Sequence, residues 1–114
     1  LTLLGQSRDK TIIQLVDNAP GYNDKAKPKA VVSTLEAGEG APADLFTFIH
    51  FGVFIHNLTV DTGKNNPGAT GVHFLANNMG AMRDVTIRGE SLCGLEMNRI
   101  GVPGPAIVRN VRIE

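Results

Sequence analysis

The stretch "HNLTVDTG", residues 56–63, introduces a pattern that the chain repeats twice. It returns as "RDVTIRGE" at residues 83–90 and as "RNVRIE" at residues 109–114. In each copy an Asn or Asp is followed by a run in which apolar and polar residues alternate, which is the pattern of a β-strand with one buried face. A repeat of about 20–50 residues built from short strands predicts a solenoid, in which successive repeats stack on one another.

The repeat is defined by its Asn or Asp position, which recurs as Asn57, Asp84 and Asn110. These positions are 27 (84 − 57) and 26 (110 − 84) residues apart. Asn and Asp tolerate the left-handed backbone conformation better than other non-glycine residues, so we expect each to form a one-residue corner between two strands. A second strand series begins at Gly71 ("GVHFLANN") and at Gly94 ("GLEMNRI"). Successive repeats should therefore pair as parallel strands about 4.8 Å apart.

Stacking of equivalent positions predicts which side chains form the core. Burial of each aliphatic side chain is worth roughly 1.5–3 kcal/mol, so such columns would hold the repeats together. The expected inward columns are Leu58 with Val85 and Val111, Val60 with Ile87 and Ile113, Val72 with Leu95, and Phe74 with Met97. Outward, Asp61, Arg88 and Glu114 alternate in sign and are expected to form a solvated ladder.

The first half of the chain is less regular. Residues 11–15 ("TIIQL") and 30–35 ("AVVSTL") read as strands, and the polar, proline-containing stretch between them, residues 17–29, reads as a loop. Residues 36–44 are predicted to form a second loop, and the apolar residues 45–56 to supply two further strands. With a period of about 26 residues, roughly four repeats fit in one all-β unit that spans residues 1–114.

Composition excludes several classes of function. The chain has 11 basic and 11 acidic residues and no net charge, so it lacks the basic surface of a nucleic-acid-binding protein. No apolar run approaches the roughly 20 residues that span a bilayer, which argues against membrane insertion. The last strand reaches Glu114 without a polar cap, so we expect a fragment of a longer solenoid or a partner chain over the open end, which leaves oligomerisation open.

Three pieces of the chain resemble the pectate-lyase-like superfamily, in particular bacterial proteins described as glycoside hydrolase family 28-related. They are "GQSRDKTIIQLVDNAPGYNDKAKPK" (5–29), "NLTVDTGKNNPGATGVHFLANNMGAMRDVTIRGE" (57–90) and "GLEMNRIGVPGPAIVRNVRIE" (94–114). The resemblance implies a right-handed parallel β-helix, of which this chain is an N-terminal part. It also implies an extracellular or periplasmic protein that acts on a polysaccharide.

The resemblance does not extend to the known catalytic motifs. The aspartate clusters and the Gly-His-Gly of polygalacturonases are absent, so the chemistry of family 28 is not supported. No acidic cluster matches the calcium site of pectate lyases, so no cofactor is evident, although a lyase-type reaction would call for calcium. The three histidines lack the spacing of metal ligands, and we predict no metal site.

In this superfamily the substrate cleft runs along the Gly-led strand, which draws attention to His73 and Glu96. Both are predicted to point outward, one repeat apart, where they could form a proton-transfer pair or bind sugar hydroxyls. The alternative is an ordinary surface contact between a histidine and a glutamate. A glycosidase needs two carboxyl groups about 5–9.5 Å apart, and only Asp61 and Glu90, at loop edges, could approach Glu96.

Residues 61–70 form a long loop beside this strand, and loops on a rigid scaffold often bind ligands. Lys64, Asn65 and Asn66 could donate to a saccharide, or the segment could serve as a turn only. Asn98 lies further along the Gly-led strand and is also a candidate substrate-binding residue. Arg99 could pair with a uronate carboxylate, or be a solvated loop charge.

The sequence therefore predicts an extracellular polysaccharide-processing protein of the glycoside hydrolase or polysaccharide lyase type. Enzymatic activity itself remains open. One alternative is a non-catalytic carbohydrate-binding or cell-surface module on the same scaffold. Another is a structural, trimeric spike-like solenoid, which would need an apolar outer stripe; Phe54, Ala81 and Ile107 are the residues that could provide it.

Overall fold

The computed structural model describes residues 1–34, 51–76, 79–97 and 105–114, and this part of the chain is built from β-strands. It contains no helix that could cross a bilayer. The strands are β1 (Thr2–Leu4), β2 (Ile12–Gln14), β3 (Lys29–Ser33), β4 (Val53–Asp61), β5 (Ala69–His73), β6 (Gly80–Arg88), β7 (Cys93–Glu96) and β8 (Ile107–Ile113).

The strands form two parallel sheets. The larger sheet has the order β1-β4-β6-β8, with β2 also paired to β4, and the smaller sheet has the order β3-β5-β7. From β4 to β8 the strands alternate between the two sheets along the sequence. β4, β6 and β8 therefore pair in parallel with one another, as do β5 and β7, which confirms the parallel strand pairing that the sequence predicted.

The three predicted corners are confirmed by their backbone geometry. Asn57, Asp84 and Asn110 have φ angles of 55°, 55° and 54°, in the left-handed region that Asn and Asp tolerate best. Each corner lies within a single long strand, so the segments on either side of it belong to one element and bend at this residue. The side chains of neighbouring corners also meet, because Asn110 Nδ2 donates a hydrogen bond to Asp84 Oδ1.

The predicted inward columns are confirmed by the register of the strands. Leu58 lies opposite Val85 and Val85 opposite Val111, while Val60 pairs with Ile87 and Ile87 with Ile113. In the smaller sheet Val72 lies opposite Leu95, and Phe74 and Met97 both belong to the same apolar core. Burial is complete in the middle of the stack and low at its edge: Ile87 is 1% exposed, whereas Ile113 on β8 is 60% exposed.

The glycines that begin the second strand series are needed where the two sheets approach each other. A Cβ on Gly71 would overlap Cγ2 of Ile87 and lie 2.7 Å from the carbonyl oxygen of Gly94. A Cβ on Gly94 would lie 2.6 Å from Cγ2 of Ile113. The absence of a side chain at these positions lets the isoleucine column of the larger sheet pack against the backbone of the smaller one.

The first half of the chain agrees with the sequence interpretation in part. The strands expected at residues 11–15 and 30–35 are present as β2 and β3, and residues 17–28 contain no strand. The sequence interpretation missed β1, which pairs with the beginning of β4. The loop predicted at residues 36–44 lies outside the described residues, as do residues 45–50 of the two strands predicted over 45–56; the end of that stretch forms the beginning of β4.

Candidate functional site

The outer face of the smaller sheet brings together the two residues that the sequence singled out. His73 on β5 lies directly opposite Glu96 on β7, one parallel-strand spacing away, or about 4.8 Å between backbones. Val72, the neighbour of His73, points into the core, as does Phe74 on its other side. Because side chains alternate along a strand, His73 is directed away from the core and Glu96 shares that face.

The backbone holds this pair from both sides. The carbonyl of His73 accepts a hydrogen bond of 3.0 Å from the N–H of Thr34, and the N–H of Phe74 donates to the carbonyl of Glu96 at 2.9 Å. The Thr34 hydroxyl also accepts a hydrogen bond of 2.7 Å from the N–H of Leu75. The imidazole and the carboxylate are therefore mounted on a rigid part of the sheet.

Exposure differs sharply between the two residues. The sequence predicted an outward-facing His73, and the structure places it on that face but with only 2% of its surface exposed. Glu96 is half-buried. A ligand can thus reach the Glu96 carboxylate more directly than the imidazole, and His73 would act from below the surface.

A third polar side chain occupies the same row and was missed by the sequence interpretation. Ser33 on β3 lies opposite His73 on the side away from Glu96. Val32, its neighbour, packs against the core, so Ser33 belongs to the outer face, where it is exposed. The irregular first half of the chain hid this relationship, because no repeat spacing links β3 to β5.

The two carboxylates that could have accompanied Glu96 are occupied elsewhere. Asp61 accepts a hydrogen bond of 2.8 Å from Nε of Arg88 and another of 2.9 Å from the N–H of Gly63. Glu90 accepts a hydrogen bond of 2.8 Å from the N–H of Asn65. Both groups stabilise the loop of residues 61–70, so Glu96 is the carboxylate of the Ser33–His73–Glu96 row.

The pKa of Asp61 reflects this arrangement. Burial on its own would raise the pKa of the carboxyl group. The hydrogen bond from Gly63 and the hydrogen bond and positive charge of Arg88 outweigh burial, so the pKa of Asp61 lies below its usual value of 3.8. Asp61 is ionised at neutral pH and serves as a structural anion.

The predicted saccharide-binding loop divides into exposed and buried parts. Lys64 and Asn65 are exposed, and their backbone N–H groups donate to Asp17 and Glu90, respectively. These contacts fix the backbone and leave both side chains at the surface. Lys64 and Asn65 therefore keep the access to solvent that binding requires.

Asn66 differs from its neighbours because its side chain is 0% exposed. Its Oδ1 accepts a hydrogen bond from the N–H of Ala19, and its Nδ2 donates to the carbonyls of Val16 and Thr62. A saccharide cannot reach this amide while the loop is intact. Asn66 therefore links two neighbouring loops and is assigned to the structure of the protein.

A shallow cavity of about 500 Å³ lies between the loops where β5 and β7 begin, at the opposite end of these strands from His73 and Glu96. Its charged lining residues are Lys25 and Glu90, and Pro67 and Ser91 contribute to its walls. Lys25 was not singled out from the sequence. Because equivalent loops of neighbouring repeats stack, the sequence could have predicted that Lys25 lines the same cavity as Glu90.

Two predicted site residues, Asn98 and Arg99, lie outside the described residues. Within residues 1–34, 51–76, 79–97 and 105–114, no group of three or more His, Cys, Asp or Glu side chains is arranged to hold a metal ion. In comparisons with protein-family models, curated proteins and solved structures, nothing matches this chain significantly.

Proposed function

We propose that this chain is part of a right-handed parallel β-helix that binds a polysaccharide on the outer face of the β3-β5-β7 sheet. The observation that supports this most directly is the register of His73 with Glu96 on that face. The proposal also includes an extracellular or periplasmic location and a glycan-processing reaction, as the resemblance to pectate-lyase-like proteins implies.

The spacing of a parallel sheet suits a polymeric ligand. A glycan that lies across the strands meets a new strand about every 4.8 Å and would encounter one polar group of the row at each step. The cavity beside Glu90 has a volume of about 500 Å³, within the range of small-ligand sites, and offers Lys25 as a donor to hydroxyl or carboxylate groups. Lys64 adds an exposed cation in the neighbouring loop.

The chemistry on this face would be proton transfer. Glu96 shares the outer face with His73, one strand spacing away, so the carboxylate could exchange a proton with a bound sugar. Such an exchange supports a hydrolase or a lyase more directly than a purely structural solenoid.

A binding and turnover screen tests the proposal. The purified chain is incubated with a panel of neutral and acidic polysaccharides, and bound glycan, reducing ends and unsaturated uronates are measured. We expect at least one glycan to bind, and Glu96→Gln to weaken its binding or turnover by about tenfold. Glu114→Gln is the matched control, because Glu114 is an exposed glutamate on the larger sheet's side of the molecule. Equal glycan binding and turnover in Glu96→Gln and the unmodified chain would show that Glu96 is not part of a glycan site.

A second candidate, a structural solenoid that self-associates, is favoured by one observation. Phe54, Ala81 and Ile107 lie in register on neighbouring strands, but Ala81 is only 2% exposed, so the apolar stripe is open to solvent mainly at Ile107, which is 53% exposed. Met79, 61% exposed, and Pro105 border an apolar hollow of about 300 Å³ beside Ile107. Sedimentation of the chain and of Ile107→Lys would test it: a trimer that the substitution dissociates favours the structural role, and a monomer in both excludes it.

A further inference from the structure

We infer that the bend of the larger sheet carries a second binding surface, which takes the carboxylate or sulfate groups of an acidic polysaccharide. We call this surface the arginine corner, and it consists of Arg8, Arg83 and Arg109. Arg83 and Arg109 belong to β6 and β8, whereas the proposed glycan face belongs to the β3-β5-β7 sheet. The arginine corner is therefore separate from that face and can bind a ligand whether or not the face does.

Two of the arginines lie directly opposite each other. Arg83 on β6 pairs with Arg109 on β8 in the parallel register. Met82 is completely buried in the core, and side chains alternate along a strand, so Arg83 points away from the core. Arg109 is exposed on the same face. Like charges directly opposite each other in a sheet are destabilising, so this pair is electrostatically unfavourable until an anion lies against it.

Arg8 is held beside this pair by direct contacts. Its Nη2 donates a hydrogen bond of 2.6 Å to the carbonyl of Asn110 and lies 3.6 Å from Oδ1 of Asp84. These two corner residues directly follow the paired arginines in the chain. The Arg8 carbonyl accepts a hydrogen bond of 2.7 Å from the hydroxyl of Thr59, which ties the loop between β1 and β2 to β4. A third guanidinium group is thereby fixed at the same bend.

The protein does not neutralise the positive charge of this surface. Arg83 and Arg109 form no ion pair with any described residue, whereas Arg8 pairs with Asp84. Nε of Arg83 is buried and has no hydrogen-bond partner, so the fold supplies no acceptor to that guanidinium group. The chain as a whole has 11 basic and 11 acidic residues. Excess positive charge is therefore local to the arginine corner, and an external anion is the partner that would balance it.

The surrounding groups favour an acidic glycan over other polyanions. A guanidinium group matches a planar anionic group with two parallel hydrogen bonds. The Asp84 side chain is 47% exposed, and its carboxylate can accept hydrogen bonds from the hydroxyl groups that a sugar carries beside its anionic group. The same carboxylate would repel the phosphates of a nucleic acid, whose partners are strongly basic surfaces.

The surface is also long enough for more than one sugar group. His56 on β4 lies opposite Arg83 and is half-buried. The line from His56 through Arg83 to Arg109 crosses three neighbouring strands and so covers about 10 Å. A polymer that follows this line would meet a polar or cationic side chain on every strand that it crosses.

Binding of matched polymers tests the inference. Dextran sulfate, alginate, neutral dextran and single-stranded DNA are titrated against the chain at low and at raised ionic strength, and the dissociation constants are compared. We expect dextran sulfate or alginate to bind, neutral dextran not to bind at this surface, and the affinity to fall as salt is added. A preference for alginate assigns the anionic group as a carboxylate, and a preference for dextran sulfate assigns it as a sulfate. Tighter binding of DNA than of both acidic glycans, or binding of no anion, overturns the inference.

Substitutions locate the binding on the molecule. Arg83→Gln and Arg109→Gln should each weaken binding of the acidic glycan by about fivefold, the loss expected for one partly solvated ion pair. Lys27→Gln removes the same charge from an exposed position in the loop of residues 17–28 and should bind as the unmodified chain does. Circular dichroism checks that each variant is folded. Equal losses in Lys27→Gln and Arg109→Gln would show attraction to net charge alone and overturn the inference.

Glu96→Gln separates this surface from the proposed glycan face. The loss caused by Arg109→Gln should be the same in the unmodified chain and in Glu96→Gln, because independent sites give additive effects. Acidic glycan binding that depends on Arg109 but not on Glu96 supports the arginine corner and counts against the proposed face. Binding that depends on Glu96 but not on Arg83 or Arg109 overturns the arginine corner and leaves the proposed face in place.

Discussion

Asp61 and Arg88 lie opposite each other on β4 and β6, and Nε of Arg88 donates a hydrogen bond of 2.8 Å to Oδ2 of Asp61. The sequence predicted this contact as the first step of an alternating charge ladder. The next step is not seen among the described residues, because Glu114 forms no ion pair there and is tied to the sheet through its backbone N–H. Among the described residues the predicted ladder therefore consists of this one pair. Its contribution to stability depends on how far Asp61 is shielded from water, and the Asp61 side chain is 13% exposed.

Replacement of Asp61 by Asn should destabilise the protein in a pH-dependent way. The substitution retains the size of the side chain and removes its charge, and about 1 kcal/mol should be lost at pH 7 because Arg88 is itself half-exposed. The pKa of Asp61 is lowered in the folded state, so the carboxylate stabilises the fold above its ordinary pKa of 3.8 and this contribution is lost as the pH falls below that value.

Urea unfolding of the unmodified chain and of Asp61→Asn measures this difference at two pH values. At pH 7 the free energies of unfolding should differ, and at about pH 2.5 the difference should shrink towards zero. Glu114→Gln is the control and should show no comparable difference at neutral pH. A gap for Asp61→Asn that is constant with pH would show that the charge of Asp61 has no role.

The isoleucine column allows a comparison of one substitution at two depths. Ile87 is 1% exposed between Val60 and Ile113, whereas Ile113 is 60% exposed on the edge strand. Ile87→Ala should cost about 2–5 kcal/mol, because it removes buried methyl groups and leaves a cavity. Ile113→Ala should cost less than about 1 kcal/mol, because most of that side chain is already in water. Chemical denaturation of both variants checks the ratio, and equal costs would contradict the observed core.

The two glycines beside this column give a second matched pair. Gly71→Ala places a methyl group against Ile87, which is packed on every side, and should cost about 1–3 kcal/mol. Gly94→Ala meets the side chain of Ile113, which can move into solvent, so its cost should be smaller. In the double variant Gly71→Ala, Ile87→Ala, the two costs should be less than additive, since the second change makes room for the first. Strict additivity in thermal or urea unfolding would show that the methyl group does not meet Ile87.

The parts of the fold that repeat could be predicted from the sequence. A corner residue such as Asn57 has both a spacing and a backbone preference that are visible in the chain, and the columns of Val60 and Val85 follow once the corners are aligned. β1 could not be found in this way, because its three residues carry no repeat signal and form a strand only by pairing with β4. Tertiary pairing decides such short strands, and local propensity does not.

The candidate site was predicted less completely because access depends on neighbours that a repeat does not reveal. Register alone placed His73 beside Glu96, but the alternation of side chains along the strand did not reveal that only 2% of His73 is exposed. Ser33 escaped notice because the first repeat is irregular. A polar loop residue such as Asn66 reads as a ligand donor in sequence, and only the positions of the surrounding backbone groups show that its amide is already used.

The hydrogen bonds of the Asn66 side chain predict that this residue stabilises the contact between the loops of residues 17–28 and 61–70. Asn66→Ala removes the acceptor for the N–H of Ala19 and the donor for the carbonyls of Val16 and Thr62, so buried polar groups lose their partners and about 3 kcal/mol of stability should be lost. Lys64→Ala changes only an exposed side chain and should stay within about 0.5 kcal/mol of the unmodified chain. Amide hydrogen exchange adds a local readout, since Ala19 should lose protection in Asn66→Ala and keep it in Lys64→Ala. Equal protection of Ala19 in both variants would show that the hydrogen bond to Asn66 does not hold the loop of residues 17–28 against the loop of residues 61–70.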